Sequence, residues 1–146
     1  MKHKMEKTPR IITKIGLVLE FLNVFFGGVF VYFFDRIFSE AFLLRLDPET
    51  TQEELDFLFT YLPIFRVIIF AALIFSTILL IVNYILFSGL YKEQYEENKA
   101  IKVYTYQFII GIVYLFSNLV VGILYVISGS QGRQGDLDMP DIREGI

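Results

Sequence analysis

The chain has 146 residues, 55% of them hydrophobic, 17% aromatic and 20% charged, with a formal net charge of -3. A soluble domain of this length has roughly 45–50% apolar and about 25% charged residues, so the composition argues for a bilayer and against a soluble enzyme. It excludes a disordered chain, and with no Cys and no basic stripe it also excludes a disulfide scaffold and a nucleic-acid partner.

The first ten residues carry Lys2, Lys4, Lys7 and Arg10 against Glu6 and read as a basic N-terminal tail, with His3 solvated in it. Residues 11–34 follow as a mainly apolar run, about 36 Å long if helical, which is enough to cross a hydrocarbon core of about 30 Å. Tyr32-Phe33-Phe34-Asp35-Arg36 closes it where a signal peptide would have small residues, so a retained span is expected. Residues 35–62 form a connector in which Ile37, Phe38, Ala41, Phe42 and Leu44 keep helical spacing among charges, as in an interfacial segment. Thr51-Gln52-Glu53-Glu54 is a capping-box pattern, and Leu55, Leu58, Phe59 and Leu62 continue one apolar face. A short amphipathic interfacial helix is therefore expected, with Pro63 opening the next helix.

Residues 63–90 form the second span, with Arg66 its only charge. A polar connector, 91–102, leads to the third, 101–128, and residues 129–146 read as a flexible polar tail. The expected fold class is an all-α integral membrane helical bundle of three transmembrane helices. The alternative is four, with the third segment broken near Ser117-Asn118 into a re-entrant hairpin. With three spans, eight basic residues flank one side (Lys2, Lys4, Lys7, Arg10, Lys14, Lys92, Lys99, Lys102) and four the other (Arg36, Arg45, Arg133, Arg143). The N-terminus is then cytoplasmic.

Polar groups are costly in hydrocarbon, so their placement carries the most information. Gly16, Glu20, Asn23 and Gly27 share one face of the first span, and Gln107, Gly111, Tyr114, Asn118 and Gly122 one face of the third. Ala72, Ser76 and Asn83 share a side of the second. Small residues allow close helix approach and polar ones bond across it, so the stripes are expected to face one another and the Phe-rich sides to face lipid. Depth along each helix makes a Glu20–Ser76/Thr77–Gln107 cluster geometrically possible. Arg66 and Asn118 fall near the opposite boundary, where Asp35, Glu54 or Asp56 would neutralise Arg66. Glu20 either fixes packing or forms a proton- or ion-responsive site.

No catalytic set, cofactor motif or metal site is present. The acidic run Asp47, Glu49, Glu53, Glu54, Asp56 lacks the loop glycine and ligand spacing of an EF-hand. The expected partners are the lipid bilayer and another membrane protein or a second copy of the chain. The expected function is non-enzymatic, an accessory, regulatory or immunity-type subunit acting by helix–helix interaction. The alternative is a small channel, transporter element or holin-like oligomer with Glu20 in a pore.

Lys14-Ile15-Gly16-Leu17-Val18-Leu19, Phe26-Gly27-Gly28-Val29-Phe30 and Gly122-Ile123-Leu124-Tyr125-Val126-Ile127-Ser128-Gly129 resemble a family of small bacterial multi-pass membrane proteins, the domain of unknown function 4064. The resemblance spans most of residues 7–130 and implies a bacterial inner-membrane location, with no activity or functional residues attached. The chain differs in its longer, more acidic first connector and in lacking basic residues at the end of its last helix.

Overall fold

The structure, a computed structural model, describes residues 2–37 and 51–144, with side chains for 2–36 and 51–133. These residues form four helices: α1 (Lys7–Ile37), α2 (Gln52–Tyr91), α3 (Glu97–Tyr114) and α4 (Leu119–Glu144). The only β pairing among them is an isolated bridge between Lys2 and Glu96. Two helical stretches, Lys7–Arg36 and Gln52–Tyr91, are long and apolar enough to cross a membrane. The interfacial run at 38–50 lies outside the described residues.

Local chemistry sets the helix ends. Pro9 sits in the first turn of α1, where its missing N–H costs no hydrogen bond. The expected capping box opens α2: the Thr51 amide donates to Glu54 Oε2 at 3.1 Å, and the Glu54 amide donates to Thr51 Oγ1 at 3.2 Å. At its other end, the Glu93 amide donates to the Leu90 carbonyl and the Gln94 amide to that of Gly89. This is a Schellman closure, which places Glu93 in the left-handed region at φ 56°. Arg10 holds the Glu93 carboxylate at 2.5 Å.

Four expectations change. Residues 52–62 and 63–90 lie in one continuous 40-residue helix, Gln52–Tyr91, with Pro63 inside it and not at a new start. Proline removes a single rung there, and the turns on either side carry the helix through. The third segment, 101–128, is two helices. The amides of Ser117 and Asn118 close on the Tyr114 carbonyl, and Asn118 Oδ1 accepts from the Val121 amide at 3.4 Å, so Asn118 opens α4. Residues 129–144, expected as a flexible tail, continue α4, with Gly129 and Gly132 buried. Finally, the N-terminus is tied down: the His3 amide donates to the Tyr95 carbonyl at 2.8 Å and Met5 is buried.

The helices divide into two units, residues 1–21 with 80–146, and residues 22–79. In the first, α3 and α4 reverse on one another at backbone contact distance. A Cβ on Gly111 would lie 2.7 Å from the Val126 nitrogen, and one on Gly122 would lie 2.6 Å from that of Leu115. The core sits here, with Phe87, Leu90, Ala100, Tyr104, Val121 and Tyr125 at most 1% exposed. In the second unit α1 and α2 run antiparallel: a Cβ on Gly27 would meet Leu73, and the rings of Phe34 and Phe65 are 5.6 Å apart. Arg66 pairs with Asp35 there, one of the three acids expected for it. Most of this unit's large apolar side chains are exposed, among them Phe25, Phe30, Val67, Ile74 and Phe75.

Candidate functional site

Thr13, Gly16, Leu17 and Glu20 recur at helical spacing and form the buried stripe of α1 in the first unit. Gly16 matters for close approach: a Cβ there would lie 2.5 Å from the ring of Tyr125. Without it, α4 brings the Tyr125 hydroxyl up to the carboxylate one turn further along α1.

Glu20 is 2% exposed and accepts three hydrogen bonds from three other helices. Asn83 Nδ2 of α2 donates to Oε1 at 2.8 Å, and the Tyr114 hydroxyl of α3 donates to the same oxygen at 2.5 Å. The Tyr125 hydroxyl of α4 donates to Oε2 at 2.5 Å. Tyr106 extends the network, its hydroxyl donating to Asn83 Oδ1 at 2.7 Å, which orients the Asn83 amide toward Glu20. Of the two carboxyl oxygens, Oε1 accepts twice and Oε2 once. One acidic side chain thus joins all four helices.

A second polar chain lies on the same stripe. Gln107 Nε2 donates to Thr13 Oγ1 at 2.9 Å, Thr13 and Ser128 hydroxyls are 2.8 Å apart, and Ser128 Oγ donates to the Pro9 carbonyl at 3.3 Å. Because the Ser128 proton goes to Pro9, the Thr13 proton goes to Ser128. The direction is therefore Gln107 to Thr13 to Ser128 to Pro9. Gln107 Oε1 is buried with no hydrogen-bond partner among the described residues.

The structure redistributes the expected polar cluster. Glu20 and Gln107 are both buried in the first unit, each with partners other than those expected. Ser76 and Thr77 belong to the second unit, where the Thr77 hydroxyl donates to the Leu73 carbonyl at 2.8 Å. A threonine on a helix can always satisfy itself on the preceding turn, and this one does. Asn23 is exposed on α1, Asn118 is a helix cap, and Arg66 is ion-paired and exposed. His3 is not solvated: its Nε2 lies 3.0 Å from the Tyr104 hydroxyl.

Sequence reasoning missed Tyr106, Tyr125, Thr13 and Ser128, and gave Asn83 and Tyr114 only a place in a stripe. The available signal was a fourth stripe, Gly122, Tyr125, Ser128/Gly129 and Gly132, which emerges once the chain is allowed to turn at Ser117-Asn118. Among the described residues no group of His, Cys, Asp and Glu is arranged to hold a metal ion. Set against known protein families, curated proteins and solved structures, the chain matches none of them.

Proposed function

We propose that this chain is a non-enzymatic integral membrane protein that works by helix–helix contact, as an accessory, regulatory or immunity-type subunit. The observation that carries the reading is the apolar surface of α2: its most hydropathic 18-residue window has no buried residue. A contiguous apolar surface of that size needs lipid or protein cover. The two tyrosines and the amide on Glu20 support a packing role for the carboxylate, since its acceptors are occupied from within the unit.

The chain reversal at Leu115–Asn118 supports the arrangement in which the C-terminus returns to the side of the N-terminus. Arg133 and Arg143 then join Lys2, Lys4, Lys7, Arg10, Lys14, Lys92, Lys99 and Lys102, leaving Arg36, Arg45 and the Asp35-paired Arg66 toward the opposite side. That asymmetry favours a cytoplasmic N-terminus. The resemblance to the domain of unknown function 4064 favours the inner membrane of a bacterium.

A photo-crosslinking side chain at Phe25 or Ile74 of the full-length protein, irradiated in cell membranes, tests the reading. A discrete protein adduct is expected; lipid adducts alone at both positions count against helix–helix contact as the mode of action. The second reading, a proton-sensitive site or pore element, is favoured by one observation, a buried acid that has no cationic partner among the described residues. Proton flux into proteoliposomes that disappears in Glu20→Gln without loss of assembly would establish it.

A further inference from the structure

Within the first unit, α1 and α2 border a groove of about 690 Å3 whose walls are Leu17, Val18, Phe21, Leu80 and Ile81. One end is different. Lys14, Tyr84 and Tyr91 close it, with the Lys14 ammonium 5.1 Å from the centre of the Tyr91 ring.

We propose that this groove holds one acyl chain of an anionic phospholipid, with the lipid phosphate on Lys14. The inference rests on the membrane reading above and adds a ligand to it. Length is the first argument. From Lys14 to Phe21 α1 rises about 10 Å, and from Leu80 to Tyr91 α2 rises about 16 Å. Half of a hydrocarbon core is about 15 Å, so the groove is one leaflet deep. Charge is the second. Among the described residues Lys14 has no ion pair, whereas Arg10, one turn earlier, is engaged by Glu93. A ring face attracts an ammonium without using its three N–H donors in conventional hydrogen bonds, so Lys14 retains donors for phosphate oxygens. A tyrosine hydroxyl supplies a further donor at the same end, and the walls supply only apolar contact. That layout matches a lipid, charged at the head and featureless below, better than a protein helix with polar groups along its length.

Native mass spectrometry of the full-length protein in detergent micelles tests this, with phosphatidylglycerol and phosphatidylcholine of identical acyl chains as probes. One tightly retained phosphatidylglycerol is expected, preferred about fivefold over phosphatidylcholine, the worth of one lysine near an anionic headgroup. Lys14→Gln should bring the ratio to about one, Lys14→Arg should restore it, and Val18→Trp, which fills the groove, should lower retention of both lipids. Equal retention by the unaltered protein, or an undiminished preference in Lys14→Gln, overturns the proposal. So does inorganic phosphate that displaces the lipid at micromolar concentration, which would mark a free-anion site. A protein chain displaced by Val18→Trp with lipid retention unchanged would assign the groove to a helix and likewise overturn it. An alkaline-carbonate wash of the source membranes separates the two levels. Protein in the washed pellet with no lipid preference removes the groove alone; protein in the supernatant removes the membrane reading and the groove with it.

Discussion

Replacing Glu20 with Ala removes the acceptor shared by Asn83, Tyr114 and Tyr125. Were the site surrounded by water-soluble protein, three orphaned donors would cost about 1–3 kcal/mol each. In the bilayer proposed for this chain, separated helices also find partners for their polar groups, and measured interhelical hydrogen bonds average about 0.6 kcal/mol with a maximum near 1.7. Glu20→Ala should therefore destabilise the fold by about 2–5 kcal/mol. Glu20→Gln keeps one acceptor oxygen but turns the other position into a donor facing a hydroxyl, so a smaller loss of about 1–2 kcal/mol is expected. Tyr125→Phe removes one donor and should cost about 1 kcal/mol. Reversible unfolding of the purified protein in bicelles measures each. The double-mutant cycle of Glu20→Gln with Tyr125→Phe isolates their coupling, expected at about 0.6–1.7 kcal/mol. A coupling indistinguishable from zero, with Glu20→Ala as stable as the unaltered protein, would refute the assignment of Glu20 as the tie between the helices.

Three further outcomes follow from the packing. Gly122→Val sets side-chain atoms against the backbone of α3, where even a Cβ lies 2.6 Å from the Leu115 nitrogen, so a loss of at least about 1–3 kcal/mol is expected in the same unfolding assay. Arg66→Ala should cost less than about 1 kcal/mol, because the Arg66 and Asp35 side chains are 47% and 46% exposed, and raising the salt concentration should shrink even that. A topology reporter fused after Arg133 should give a cytoplasmic signal, as should one placed at the N-terminus; an external signal after Arg133 would sink the hairpin arrangement of α3 and α4.

Several features were legible in residue types and spacing because they depend on neighbours in sequence. Thr51 and Glu54 lie within one turn, so their reciprocal bonds form wherever that helix starts. The apolar length of α1 and α2 and the burial of Glu20, Gly16, Gln107, Gly111 and Tyr114 follow from composition and helical period alike. The exposure of eleven phenylalanines, with Phe87 fully buried, agrees with the expectation that bulky aromatics line the outer faces.

What spacing could not supply was the pairing of those stripes. An unbroken run from Ile101 to Ser128 fits one long helix as well as two short ones, since Ser117 and Asn118 are only weak helix breakers. The choice rests on contacts across the turn: glycines at 111 and 122 let two backbones meet, and that burial outweighs the hydrogen bonds given up at the reversal. Once α4 folds back, Tyr125 stands beside Gly16 and reaches Glu20, 105 residues away in the chain. Composition and helical period therefore set the helical class, the two long apolar stretches and the residues that must be hidden. Three-dimensional packing chose the partner of each hidden group, because hydrogen bonds between helices depend on register and depth, which no single helix encodes.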